Sequence, residues 1–419
     1  MTHDTNIPHG YKATALGIIP QEWEVRPLNY LGAICSGGTP DTEVAEYWNG
    51  DIAWCTPSDI TKLDTKYIES TEVKITAKGL KESSATLLPP RSIVVCTRAT
   101  IGSAAICNTE IATNQGFKNI IPNEKANPEW LYYIIIYSKP RLVRIGCGST
   151  FLEVSKKDFS RFKIVVPPLA EQRKIAEVLG VWDEAIEKQA RLIEKLALRK
   201  RGLMQRLLSA KLRLPGFSEP WQKVKLGEIC ERVTRKNIED NQNVMTISAQ
   251  RGFVAQTDFF NKSVASETLE SYYLVFKDEF CYNKSYSNGY PMGAIKRLSE
   301  ADKAVVTSLY ICFNVKPETN TNIDYLSYYF DNGGLNRGLT KIANEGGRAH
   351  GLLNVTPKDF FGLSFEIPSL KEQTAIAEVL IAADREIELA KEKLERLRRQ
   401  KRGLMQQLLS GKKRVKINI

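Results

Sequence analysis

A chain of 419 residues, 42% of them hydrophobic and 26% charged, has the make-up of two or three well-cored domains. With His3, His9 and His350 as the only histidines, a histidine metal centre or acid–base triad lacks material, and no cofactor or metal is expected. The formal net charge of +11 sits unevenly: residues 1–165 carry 18 basic and 17 acidic groups and residues 213–366 carry 18 of each, while 166–212 (10 against 6) and 367–419 (13 against 7) hold nearly all the excess, which excludes a protein that simply coats phosphate.

No apolar run reaches the about 18 residues of a bilayer span, and the opening MTHDTNIPHG lacks the basic and apolar regions of a signal peptide. A cytoplasmic chain with no membrane partner is expected. The eight cysteines form no C-x-x-C pair and read as buried free thiols.

In chain order, residues 1–165 predict a mixed α/β domain. Strand-like runs fall at 92–96, 102–106 and 162–166, and a short helix at 128–137. Polar, glycine-containing loops lie between them: SGGTP at 36–40, TRATIG at 97–102, NQGFK at 114–118 and GCGST at 146–150. Residues 166–212 predict one long helix introduced by Pro167 and Pro168. Its apolar seam runs Ile175, Leu179, Trp182, Ile186, Ile193, Leu196, Leu203, Leu207, interrupted at Gln189 and Lys200.

Residues 213–366 predict a second mixed α/β domain, with strands at 277–282, 292–295 and 309–315 and a helix at 324–330. Its loops are NKSYSNGY at 283–290, TSLY at 307–310 and NEGGRAHG at 344–351. Residues 367–412 predict a second long helix, and 413–419 a basic tail. Ser369 and Glu372 have capping-box spacing. Ile376, Leu380, Ala383, Ile387, Ala390, Leu394, Leu397, Leu404 and Leu408 recur alternately every four and three residues, with Lys401 filling one slot. Such a seam kept over about five heptads indicates a coiled coil.

The two helical stretches are copies. Residues 167–211 and 368–412 align without a gap at an offset of 201 and share 24 of 45 positions. The register extends upstream through Val154, Lys157, Asp158 and Phe159, and a weaker repeat matches Trp23 and Leu28 to Trp221 and Leu226. A tandem duplication follows: α/β (α+β) overall, two mixed α/β domains joined by two long helices. Two near-identical rods of ~60 Å have an obvious partner in each other, and antiparallel pairing would relate the domains by a pseudo-two-fold axis at opposite ends. Gln189 and Lys200 are expected to fix the alignment. Gly202 and Gly403, inside the repeated KRGLMQ, each cost about 1 kcal/mol against alanine, so close approach of another backbone is expected there.

The loops carry the donor types that read base edges. Solvated turns have the same composition, so contact with double-stranded DNA is one of two readings of each loop. The candidates are Ser36, Thr39, Arg98, Asn114, Gln115, Lys118, Ser149, Thr150 and Lys156 in the first domain, and Lys284, Ser285, Asn288, Thr307, Ser308, Arg348 and His350 in the second.

Taken together, GYKATALGIIPQEWEVRPL, GGTP with YWNGDIAW, TRATIG, NQGFK, GSTFLEVSKKDF, and the doubled EQ-x-x-IAEVL and KRGLMQ blocks resemble the specificity subunit of type I restriction–modification systems. The resemblance covers nearly the whole chain, but NKSYSNGYPMG stands where the first half has TRATIG, which blocks residue transfer at that loop. It implies a non-catalytic subunit with two target recognition domains and an antiparallel helical spacer that sets the gap in an asymmetric, two-part DNA target. It also implies docking of two copies of the modification (methyltransferase) subunit and of the restriction (motor-nuclease) subunit. For that spacer and docking role the repeated residues are Glu171, Gln172, Ile175, Leu179, Gly202 and Leu203, with Glu372, Gln373, Ile376, Leu380, Gly403 and Leu404 in the second copy.

Two other readings use the same residues. Catalysis by this chain would want a methyltransferase tetrapeptide or a phosphate loop, and neither is present. Only Asp41 with Glu72 and Lys74 resembles a nuclease metal site, and that string is short. A coiled-coil adaptor binding proteins through both domains would also explain the helices. The basic runs 199–201, 398–402 and 412–414 suit phosphate or partners, or equally solvated helix faces.

Overall fold

A computed structural model describes residues 7–146, 152–260, 269–345 and 353–416. They form two compact units, Met1–Leu192 with Ala390–Ile419, and Ile193–Leu389. The long helices Leu169–Leu207 and Leu370–Leu409 each pass from one unit into the other, so neither helix is a body of its own. Among the described residues no helix is long and apolar enough to cross a membrane.

The first unit is built on a five-stranded sheet in the order Gly32–Ser36, Phe117–Pro122, Ile93–Cys96, Ala104–Cys107, Tyr67–Ile68. One face packs on the helix Pro128–Arg144 through Trp130, Ile134 and Ile93, all buried. Asn127 caps that helix by accepting from the Trp130 amide, and Pro128 sits at its first position. The sequence predicts an end near 137, before Pro140; the helix continues because Leu142 is 1% exposed in the core and Arg141 and Arg144 complement the C-terminal dipole.

The second unit repeats the plan. Its four-stranded sheet has the order Cys230–Val233, Ile311–Val315, Phe280–Asn283, Ala294–Arg297, backed by the helix Ile323–Asp331 with Asn322 as its cap. In both units a two-stranded ribbon leads into a long helix: Lys163–Val166 with Glu24–Pro27, and Ser364–Ile367 with Gln222–Lys225. The duplication visible in the helices therefore extends through the sheets, where the sequence has diverged.

Both seams are filled as the spacing predicts. In the first unit Ile175 and Leu179 are buried together with Met405, Leu408 and Leu409; in the second, Ile376 and Leu380 share a core with Leu207 and Leu208. The first part of one helix thus meets the last part of the other, antiparallel, within each unit. Gln189 confirms the register: buried, it donates from Nε2 to the Ala390 carbonyl at 3.0 Å, and Ala390 is its own repeat equivalent.

Charged groups close the seams. Lys401 pairs with Asp183, which also takes the Tyr133 hydroxyl and, at 3.4 Å, the Lys66 ammonium. The copy in the second unit has Lys200 on Asp384 at 2.6 Å, with the Tyr328 hydroxyl on the same carboxylate at 2.7 Å. Burial, then Asp183 or Asp384, pushes both tyrosine hydroxyls up from their ordinary value, so they stay protonated donors. At the helix starts Glu171 accepts from Arg414 at 2.9 Å and Trp23 Nε1 at 2.9 Å. Glu372 accepts from Arg213 at 2.6 and 2.7 Å. Gln172 and Gln373 complete the pattern. Each accepts from the cap residue's amide (Asn127 at 2.9 Å, Asn322 at 2.7 Å) and donates to Pro167 or Pro368.

Three expectations change. Nothing lies within 4 Å of a Cβ built on Gly202 or Gly403, so no neighbouring backbone in the chain compensates these glycines. Both Glu372 oxygens are taken by Arg213 rather than by the Ser369 amide, because a guanidinium is the stronger partner for a buried carboxylate. The basic runs are partly spent inside: Arg199 on Glu386, Lys200 on Asp384, Lys401 on Asp183 and Arg414 on Glu171 and Glu22.

Removing one partner of a buried ion pair strands the other, at a cost of about 3 kcal/mol or more. Asp183→Ala leaves both Lys401 and Lys66 unpaired at a site 19% exposed, whereas Asp384 is 42% exposed. Urea unfolding should show Asp183→Ala losing clearly more stability than Asp384→Ala. Gly202→Ala and Gly403→Ala should each gain up to about 1 kcal/mol in the isolated chain, read as a higher unfolding midpoint.

Candidate nucleic-acid interface

Sheet order explains why loops distant in sequence meet. In the first unit Phe117 and Lys118 begin the strand that lies between the ends of two others, pairing with Cys96 and Val95 on one side and Ser36 on the other. The loops after 36, after 96 and before 117 therefore emerge along one sheet edge. The second unit does the same: Ile311 pairs with Tyr282 near the end of its strand, and Cys312 with Val233, so the loops after 283 and before 311 converge.

The first edge brings together Ser36, Thr39, Arg98, Asn114, Gln115 and Lys118. Gly37 and Gly38 let the chain pass close: a Cβ would lie 1.9 Å from the Asn114 carbonyl at Gly37 and 2.3 Å from the Ser84 backbone at Gly38. Asn114 closes a turn by accepting the Gly116 amide at 2.9 Å. Thr39 donates to Gln115 Oε1. Lys118, only 6% exposed, directs its ammonium to Glu153 at 3.4 Å and the Gln115 carbonyl at 3.5 Å. Arg98 reaches the same Glu153 with Nη2 at 2.5 Å and Nε at 3.2 Å. Hydrogen bonding by Arg98 holds the Glu153 carboxyl below its usual range, against burial and with help from Lys118. Lys156 starts the short helix Lys156–Arg161 and lies near enough to Cys35 to oppose the upward shift that burial gives that thiol.

The second edge carries a different set. Burial lowers the Lys284 ammonium from its ordinary value; the Ser285 amide donates to Asn283 Oδ1 at 3.0 Å. Asn288 and Ser308 are exposed, and Thr307 accepts the Leu309 amide at 3.3 Å. Ser149, Thr150, Arg348 and His350 lie outside the described residues.

Residues 20–197 and 218–399 each match the model of the type I restriction modification DNA specificity domain. The chain belongs to this family. Among its relatives is the MjaIX specificity subunit of a type I restriction enzyme from Methanocaldococcus jannaschii, 40% identical over 193 residues, 45% of each chain. The match spans less than half of that relative. The putative MjaX specificity subunit from the same organism is 25% identical over 97% of both chains. In fold, the HsdS subunit of Thermoanaerobacter tengcongensis aligns over 94% of this chain and 98% of its own at a TM-score of 0.51, with 17% identity. Glu72, of the nuclease-like string, is paired with Lys62 at 2.9 Å.

Within this specificity-family fold the helical candidates divide by exposure. Glu171, Gln172, Ile175, Leu179, Glu372, Gln373, Ile376 and Leu380 are buried, and Leu203 and Leu404 half-buried; their side chains pack inside their own unit. Gly403 is exposed and Gly202 half-buried.

Sequence reasoning missed three features. Glu153, the shared anchor of two cations, sits beside a loop that was read only for donors. Gln250, whose amide donates to the Asn288 carbonyl at 3.1 Å, joins the second edge from a hairpin that the alternation at 245–248 would have located. Arg141, Arg144, Arg161 and Lys163 line one cleft, and only the i, i+3 spacing of the first two hints at it.

Gly37→Ala and Gly38→Ala should each distort the first edge by forcing backbone apart, costing about 1–3 kcal/mol. Thermal unfolding of the chain should register the loss, while Gly10→Ala, which meets no atom, should show only its smaller backbone strain.

Proposed function

We propose that this chain is the DNA-recognition component of a type I restriction–modification complex. It reads an asymmetric two-part target, one half-site per unit, and leaves catalysis to its partners. The observation that carries this reading is one frame presented twice with different polar groups. The same sheet order brings loops to the same edge in both units, with Thr39, Arg98, Gln115 and Lys118 on one and Lys284, Asn288, Thr307 and Ser308 on the other. Polar donors converging from separate loops are what base-edge readout requires. Ser36, Asn114, Lys156 and Ser285 frame these edges.

Near-neutral recognition domains supply discrimination, and partner subunits supply most phosphate neutralisation. Two copies of the modification subunit and the restriction subunit are the partners, docking on the outer faces of the paired helices, where the open Gly403 lies; the site of action is the cytoplasm. The spacing between half-sites follows the length of the helical repeats.

Methylome sequencing of cells with and without the gene should reveal one two-part motif that depends on it. Inserting a matched seven-residue block into each helical repeat should change the number of unspecified bases while leaving both half-sites the same. A motif of unchanged spacing would refute the helical ruler. Absence of any gene-dependent motif would favour a protein adaptor.

A further inference from the structure

Resting on the DNA-recognition reading, we infer that Arg98 reads a guanine in the half-site of the first unit and that Glu153 is the positioning residue that aims it.

Arginine has five donors in a rigid fork. Glu153 accepts from Nε and Nη2, which lie along one side of the guanidinium. That leaves the end of the fork, Nη1 with the second Nη2 hydrogen, without a protein partner among the described residues, on a side chain 43% exposed. Two parallel donors facing outward match the O6 and N7 acceptors that guanine alone offers together in the major groove.

The backbone fixes where the fork starts. Thr97 donates from both its amide and its hydroxyl to the Gly116 carbonyl, at 2.8 and 3.1 Å, and the Val154 amide returns to the Thr97 carbonyl at 3.0 Å. Ala99, next in the chain, adopts φ +57°, a left-handed conformation that turns the loop sharply at that point. Lys118 binds the other Glu153 oxygen, so the carboxylate is held from below by a buried cation and is itself a fixed stop. An arginine braced on one side loses little freedom on binding and is aimed before DNA arrives, which favours selectivity over loose phosphate contact.

Among the described residues of the second unit, no arginine braced in this way stands at the corresponding edge. There the Leu353 amide bonds the Lys284 carbonyl at 3.0 Å, and the residue that follows Lys284 is Ser285. Its half-site is read by other chemistry.

The test uses the full chain assembled with its modification subunits, and duplexes carrying the motif found by methylome sequencing with every single-base replacement. For the unaltered complex, replacing one guanine of one half-site should lower affinity about 10- to 100-fold. Arg98→Ala should flatten the preference at that position alone and leave the other positions and the other half-site intact. Arg98→Lys, which keeps the charge, should also lose most of the preference. Glu153→Gln should weaken the guanine preference several-fold while off-target affinity holds or rises, a split that a loss of folding would not produce. The inference is overturned if no guanine position responds to Arg98→Lys, or if all positions weaken equally, as for a phosphate contact. It is equally overturned if Glu153→Gln keeps full discrimination. An unaltered complex with no sequence preference would overturn the DNA-recognition reading as well.

Discussion

Each long helix carries carboxylates that it cannot satisfy alone. Asp183 and Glu171 find their cations on the last turns and tail of the other repeat, in Lys401 and Arg414, and Asp384 and Glu372 find theirs in Lys200 and Arg213. Leaving the most deeply buried of these charges, Glu171 and Glu372, without a partner would cost several kcal/mol, so the pairing of the helices is specified by electrostatics as well as by the apolar seam. Antiparallel pairing is the arrangement that lets two copies of one sequence satisfy each other. Every unit is then completed by parts of both helices.

From this follows the way the sheets are held. Gln172 and Gln373, buried at the helix starts, tie the first turn to the cap of the sheet-backing helix and to the proline before it. Trp23 joins the same knot through Glu171. A sheet anchored at this end leaves its far end free to vary, and the loops there differ between units while the order of the four shared strands does not. The residues that anchor the sheets are in this way separate from the loop residues that differ between units.

Much of this was legible in the sequence because the signals are periodic. A seam from Ile376 to Leu408 and a gapless copy 201 residues earlier predict paired helices, and strand-like runs such as 92–96 foretell the sheet. Glycine gave a mixed answer. Close backbone approach, expected at Gly202 and Gly403, is found instead at Gly37 and Gly38, since a sequence records that a side chain is missing but not what would have filled its place. Glu153 escaped notice for a related reason: its importance lies in contacts to residues 55 and 35 positions away, and nothing local marks it. Basic runs left open between phosphate, partners and solvated helix faces prove partly paired within the chain, because a charge's partner is a matter of tertiary geometry.

The cysteines fit a structural rather than a chemical role. Cys96 is pushed up to about 11 and Cys107 to about 12 by burial, so their thiols remain protonated and unreactive. The pairing of the helical repeats is the claim on which everything else rests, and it is tested most directly by crosslinking. A Gln189→Cys/Ala390→Cys double variant should be joined within one chain by a short bifunctional thiol reagent, while a Gln189→Cys/Leu404→Cys control, two heptads out of register, should not. Equal crosslinking of both, or none of the first pair, would contradict the antiparallel register.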